Sequence, residues 1–281
     1  MRVICFYHAI DFDGKCSAAI VKKAYPNCEL VGVDHDGRDF PITMVQAGDR
    51  VFMVDYAIDS IETMLWLQAN CDFTWIDHHE IVNEAAAKGF NPKGLRSTWL
   101  AACELTWQYL FPNDPMPRAV HLLGHYDSRH LERDKDALSF QFGMRQFVGE
   151  ADDASFWDEL FRSESRVNKI IEQGRIILPY VERQNARAME LLAFDLELDG
   201  LKCLAVNIAS SGSQTFASKW DSRKYDAMVR FSWKRTFWDV SLYTEKPGVD
   251  VRRVAQKFGG GGHVCAAGFQ CGELPFSLGG A

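Results

Sequence analysis

Short apolar runs punctuate the first third of the chain, and each one stops abruptly on a polar residue. Val3-Ile4-Cys5-Phe6-Tyr7, Glu29 to Val33, Val51-Phe52-Met53-Val54 and Phe73-Thr74-Trp75-Ile76 are brief, apolar and β-prone. Such runs predict strands buried on both faces. Between them the apolar residues fall at helical spacing, over Lys15 to Ala24, with Pro26-Asn27 as the break, and over Ser60 to Ala69. Strands alternating with helices specify an α/β domain with a mainly parallel sheet. The residues at which the four runs stop are His8, Asp34, Asp55 and Asp77. In open α/β sheets ligands gather outside the carboxyl ends of the strands. Imidazoles and carboxylates at all four ends therefore converge on one edge, where structural ion pairs seldom do.

Further on the pattern changes. Thr98 to Phe147 is helical, broken at Pro112, Pro115 and Pro117, and contains Leu122-Leu123-Gly124-His125-Tyr126-Asp127. Ser163 to Phe194 carries Val167, Ile170, Ile171, Ile177, Leu178 and Val181 at helical spacing, a natural connector between two domains. Pro179 should kink or divide it. After Asp199-Gly200 the pattern predicts strands over Lys202–Asn207, Ala227–Trp233 and Phe237–Tyr243, then a helical stretch from Val249 to Phe258. Gly259-Gly260-Gly261-Gly262-His263 and Ala266-Ala267-Gly268-Phe269 follow, and the tail from Leu274 is expected to fray.

Composition narrows the class. At 281 residues and 47% apolar content the chain can form two packed domains. It has no uncharged apolar run of membrane-spanning length, and its N-terminus reaches a polar residue too early for a signal peptide. The eight cysteines form no C-x-x-C pair and several lie in apolar runs, which suits a reducing cytoplasm. A net charge of −7 argues against a protein that coats long nucleic acid. A short or small phosphorylated substrate held by a few local cations is compatible.

The candidate chemistry is a series: His8-x-x-Asp11-x-Asp13-Gly14, Asp55, Asp77-His78-His79 and Asp127, with the glycine run and His263 last. Each member has a bland reading. Asp13-Gly14 could be an ordinary turn, Asp55 and Asp77 helix caps, and the glycines a flexible linker. Asp134 and Asp136 are the alternatives to Asp127, and His35, His125 and His130 read as structural or peripheral, with His125 and Arg129 as neighbours of Asp127. Four glycines also let backbone N–H groups approach an anion, a helix start after them would favour negative charge, and His263 adds a donor. Ser210-Ser211-Gly212-Ser213 opens another helical stretch, in which Ser211 contacts a phosphate or Ser213 is a plain N-cap.

In content and order these motifs resemble the DHH phosphoesterase superfamily with its associated C-terminal domain, over nearly the whole chain. The nearest branch would be the nanoRNase or oligoribonuclease-like one. The resemblance implies a metal-binding catalytic domain over 1–160, a helical linker over 161–194, a substrate-binding domain over 195–274, a tail over 275–281 and an active site in the interdomain cleft. It also implies two manganese ions, with magnesium as the substitute. His8 and Asp11 would bind the first and Asp13, His78 and Asp127 the second, with Asp55 between them. His79 would face the scissile phosphate, and Asp77 would orient the imidazole pair. Gly260, Gly261, Gly262, His263 and Ser211 would contact substrate. Two ions would neutralise the phosphate and activate water.

Two features depart from the family pattern. Many relatives carry an arginine after the Ser-Leu of the last long strand, where this chain has Ser241-Leu242-Tyr243-Thr244. Arg230, Lys234, Arg235, Arg252 or Arg253 would have to replace it, or Tyr243 would stack on a base. The His8-to-Asp11 spacing is one residue shorter than in the pyrophosphatases. The expected protein is a cytoplasmic hydrolase of short oligonucleotides or small nucleotide phosphates, with no membrane partner and with a homodimer as an allowed assembly. A cyclic-dinucleotide phosphodiesterase, a RecJ-type exonuclease and a non-catalytic nucleotide-binding protein are the rivals.

Overall fold

Four parallel strands form the sheet of the first unit in the computed structural model. They are β1 (Val3–His8), β2 (Glu29–Val33), β3 (Arg50–Val54) and β4 (Asp72–Ile76), in the order β2-β1-β3-β4. The structure describes the chain apart from residues 35–38, 59, 80, 88, 129, 210–211 and 279–281. It divides into two compact units, Met1–Ile177 and Leu178–Ala281.

Alternation along each strand sorts its side chains onto two faces. Ile4, Phe6, Val51, Met53, Phe73 and Trp75 join one core, with Met64 and Leu67 of helix α2 (Ile61–Asn70) and Val82 of α3 (Ile81–Ala87). Cys5, Tyr7, Phe52, Val54 and Ile76 join the other, with Ala18 and Val21 of α1 (Phe12–Ala24) and Leu105 of α4 (Ala102–Leu110). Helices thus cover both faces, as a parallel sheet requires. The chain runs from β1 to β2 on one side and then to β3 on the other, so the strand order reverses between β1 and β3. Ligand crevices form at such switch points.

Helix α1 begins at Phe12, earlier than its apolar spacing predicts, because Asp11 caps it: the Gly14 amide donates to Asp11 Oδ1 at 3.0 Å. Gly14 therefore lies in the first helical turn, which corrects the turn reading of Asp13-Gly14. A Cβ at Gly14 would lie 2.0 Å from the His8 carbonyl oxygen, so glycine lets α1 pack directly on the end of β1.

The expected helical stretch resolves into α4, α5 (Arg118–Asp127) and α6 (Ala137–Met144); Pro112, Pro115 and Pro117 separate α4 from α5, and the polar segment 128–136, which has no proline, separates α5 from α6. Then come α7 (Ala154–Arg162) and the long α8 (Glu164–Leu192). Pro179 does not divide α8; one missing amide removes one hydrogen bond, and the remaining turns continue the helix. Among the described residues, no helix is long and apolar enough to cross a membrane.

The second unit is built on a mixed sheet in the order β5-β6-β7-β8-β10-β9. Its strands are β5 (Phe194–Leu198), β6 (Leu201–Asn207), β7 (Ala227–Trp233), β8 (Trp238–Tyr243), β9 (Gly261–His263) and β10 (Ala266–Cys271). β6 and β7 are parallel and the other pairs antiparallel. Helix α9 (Val251–Lys257) supplies Val251, Val254 and Ala255 to this unit's core. Strand β5 adds to the predicted set: Phe194, Leu196 and Leu198 alternate with Asp195 and Glu197 directly after a helix.

Candidate metal centre at the carboxyl edge of the first sheet

Each strand of the first sheet delivers a ligand-type side chain to one edge. His8 is the last residue of β1, while Asp34, Asp55 and Asp77 directly follow β2, β3 and β4. Asp11 stands at the cap of α1, with Asp13 in its first turn, and Asp127 ends α5. Asp13 is buried and receives the Ala102 amide at 2.9 Å and the Cys103 amide at 2.8 Å. Both donors belong to the first turn of α4, whose unpaired amides favour a negative charge.

Several donor groups result, and two of them share no residue and could each hold an ion. His8, Asp11 and Asp55 form one, and Asp13, His78 and Asp127 the other. His8 Nδ1 lies 3.0 Å from Asp11 Oδ2 and 3.7 Å from Asp55 Oδ2. His78 Nε2 lies 3.2 Å from Asp55 Oδ1, 3.2 Å from Asp127 Oδ2 and 3.7 Å from Asp13 Oδ2. The two oxygens of Asp55 therefore face different sets. Asp55 itself has φ 55°, a left-handed conformation uncommon outside glycine, and its amide donates to Ile76 O at 3.0 Å. Such backbone is held by its surroundings and clusters at functional sites.

Asp77, fully buried, organises the histidine pair. Its Oδ1 accepts from the His78 amide at 2.7 Å and the His79 amide at 3.2 Å, and it lies 2.7 Å from His79 Nδ1. The imidazoles meet edge to face with centroids 4.7 Å apart. Asp34 Oδ1, 3.5 Å from His8 Nε2, joins the cluster without having been singled out as a site residue. Its signal was its place at a strand end.

Residues 2–125 match the model described as the DHH family, N-terminal domain. This region is a DHH domain. Uncharacterized protein R106 of Acanthamoeba polyphaga mimivirus is 25% identical over 242 residues, 81% of this chain and 55% of that protein. The chain thus spans about half the length of this curated relative. A solved DHH domain, described as coming from a member of a family of ribosomal proteins, is 12% identical. It aligns with a TM-score of 0.60 over 99% of this chain and 83% of its own. The pGpG-specific phosphodiesterase PggH of Vibrio cholerae is 12% identical, with a TM-score of 0.47 over 96% of this chain and 94% of its own.

The electrostatics of the DHH domain's cluster are those of a cation site. Burial alone would lower the pKa of His8, yet Asp11, Asp34 and Asp55 outweigh it and raise it. His78 is likewise raised by Asp55, Asp127 and Asp13 against the effect of burial, and His79 by Asp77. Burial and the neighbouring Asp55 and Asp127 push Asp13 well up, and burial lifts Asp127 to about 6. Asp55 goes the other way, because the His78 and His8 imidazoles overcome its burial. The carboxylates that raise these imidazoles are the ones a bound cation would neutralise. Buried Asp55 Oδ1 accepts no well-aligned hydrogen bond although His78 Nε2 is near. A buried carboxylate oxygen left so is costly without a positive partner. The donors fit divalent metal.

The alternatives to Asp127 are engaged elsewhere: Asp136 pairs with Arg118 and Arg175 at 2.8 and 2.7 Å, and Asp134 Oδ1 accepts the Asp136 amide. His130 packs against Trp99 and faces Glu132. Ser211, His35 and Arg129 lie outside the described residues.

In the second unit the glycine run differs from expectation. No helix starts after it. Helix α9 precedes it, and the run ends that helix before turning into the β9–β10 hairpin. Gly259, at φ 78°, closes a Schellman motif in which the Gly260 and Gly259 amides donate to the Ala255 and Gln256 carbonyls. A Cβ on Gly260 or Gly262 would strike the backbone of β10, at 2.0 Å from Gly268 O and 2.6 Å from Ala266 O. Only Gly261 of the four adjoins open space at ordinary φ. Gly212 caps a short 3-10 turn, Ser213–Phe216, so Ser213 is its first residue instead of its cap. Arg230 sits opposite Ser241 in the β7–β8 register and donates to Ser241 Oγ at 2.5 Å and Asp239 Oδ2 at 2.7 Å.

Proposed function

We propose that this protein is a phosphoesterase that uses two divalent ions, manganese by preference, to hydrolyse short oligonucleotides or small nucleotide phosphates. The observation that carries the reading is Asp55, whose two oxygens face two separate imidazole–carboxylate sets. The DHH match over residues 2–125 supports the same reaction class. His8, Asp11 and Asp55 would hold one ion and Asp13, His78 and Asp127 the other. Paired ions at about 3.5–4 Å neutralise a phosphate and make bound water nucleophilic near neutral pH. Mixed imidazole and carboxylate donors suit manganese better than magnesium.

The chain's own groups do the rest. Asp77 fixes His79, whose far ring nitrogen would donate to a phosphate oxygen. Asp13 is kept in place by the α4 amides, so the second donor set is rigid before any ligand arrives. In the second unit, Gly261 would let backbone donors approach a substrate phosphate, with His263 adding one more. The net charge of −7 offers little neutralisation of a long polyanion, which favours short substrates.

The test is a panel of labelled dinucleotides to 24-mers, phosphoadenosine phosphate and cyclic dinucleotides, assayed with manganese after chelation. Substrates of roughly two to five nucleotides should turn over faster than 24-mers, and chelator should abolish activity. Full activity in excess chelator would refute the metal chemistry. Rates that climb with length would move the substrate to long single strands.

A further inference from the structure

A second donor cluster lies beside the first and belongs to neither of its sets. Glu104, in the first turn of α4, is almost fully buried, with 1% of its surface exposed. Among the described residues no lysine or arginine pairs with it. Its Oε2 takes only the Ala101 amide, at a long 3.4 Å. Its Oε1 faces two imidazoles of α5, with His121 Nδ1 at 3.2 Å and His125 Nε2 at 3.9 Å. A buried carboxylate is costly unless a positive partner meets it.

The neighbouring sequence is shaped around that carboxylate. His121, Gly124 and His125 are spaced i, i+3, i+4 and so share one face of α5. A Cβ at Gly124 would come within 2.6 Å of Glu104 Cγ, Cδ and Oε2. Glycine there lets the carboxylate lie against the helix between the two rings, whose centroids are 5.8 Å apart. One donor atom from each residue falls within 4.8 Å of the others. His125 turns Nε2, and not its buried Nδ1, towards Glu104, so Nε2 is its donor to an ion. His121 is half exposed, which leaves a path in from solvent.

We infer that Glu104, His121 and His125 form a further metal site, selective for a borderline transition ion of the zinc type. Two imidazoles and one carboxylate with an open fourth position are a zinc donor set, and hard magnesium or calcium would prefer oxygen ligands. The ion would clip α4 to α5. Those helices also position the main cluster: the α4 amides hold Asp13, and α5 ends on Asp127. The clip is independent of the phosphoesterase reading, since none of its ligands takes part there.

Equilibrium dialysis of chelator-stripped full chain against zinc tests it, with bound metal counted per chain. His121→Gln and His121→Gln/His125→Gln are compared with wild type, circular dichroism verifying the fold. The double variant should bind one zinc fewer. The single variant should bind that ion more than about a hundredfold more weakly, since loss of even an outer partner costs 10–100-fold. If the double variant fails to fold, His121→Gln decides, because its ring is half exposed. Equal zinc content and affinity in wild type and variants would overturn the site and leave Glu104 a hydrogen-bonded group only. Asp55→Asn should retain this ion; its loss there would overturn the separation of the two sites. Failure of every phosphoester substrate would not alter the count.

Discussion

Asp55 combines two demands that different substitutions separate. Its carboxylate meets both donor sets, and its backbone lies at φ 55°. Asparagine tolerates the left-handed region at least as well as aspartate, whereas alanine loses about 1–2 kcal/mol there. Asp55→Asn should therefore melt higher than Asp55→Ala when both are metal-free, and with metal both should lose nearly all turnover. Retention of more than about a tenth of wild-type rate, worth roughly 1.4 kcal/mol of barrier, would remove Asp55 from the bridging role. Asp72, at the opposite end of β4, is purely structural. Lys93 and Arg50 hold it at 2.5 and 2.7 Å and depress its pKa below the ordinary 3.8. A depressed carboxylate stabilises the fold above its unfolded pKa, and the effect fades as pH falls through the folded value. Asp72→Asn should melt a few degrees lower than wild type at pH 7, and the gap should close below pH 3.8. A gap independent of pH would assign the loss to packing.

The elements of the first sheet were legible because each strand is an unbroken apolar run and each ends on a polar residue that burial at a sheet edge has to explain. Partition of the donors into two sets was expected only by family resemblance, and no local pattern contains it. It depends on α5 bringing Asp127 to His78. The same is true of Glu104, which meets His121 from 17 residues away across two helices and left no periodic trace. β5 was hidden because its alternation begins where a helix ends. The glycine run was misread for a related reason: composition shows that the chain can turn sharply, not which side the helix lies on. The hairpin now separates its glycines. Gly261→Ala meets nothing within 4 Å, so stability should stay within about 0.5 kcal/mol while kcat/KM on a dinucleotide falls about tenfold. Gly262→Ala, at φ 130° and against Ala266 O, should instead destabilise the second unit by roughly 1–3 kcal/mol. Unchanged kinetics in Gly261→Ala would make the run a packing device throughout.

On the scale of the molecule, the first unit gathers Asp11, Asp13, Asp34, Asp55, Asp77 and Asp127 around three histidines, a concentration of like charge that resists folding when no cation is bound. Whatever binds the folded state and not the unfolded one stabilises it by mass action, by about 2.7 kcal/mol at a hundredfold excess over Kd. For a unit of 177 residues, each kcal/mol shifts the midpoint by roughly 2–4 °C. Manganese at that excess should therefore raise the melting midpoint of the first unit by about 5–10 °C. Hydrogen exchange should slow at the carboxyl ends of β1, β3 and β4 and at the ends of α1 and α5 that carry Asp11 and Asp127. The β5–β10 sheet carries no residue of the two donor sets, and its exchange should stay unchanged. Asp55→Asn should lose most of the gain, because removing that one carboxylate weakens both donor sets together. Calorimetry with and without manganese, followed by peptide-resolved exchange, reads both effects in one preparation. Protection spread evenly over the two units, or a gain that survives in Asp55→Asn, would mean that the ion stabilises the protein from somewhere other than the edge where the four strands end.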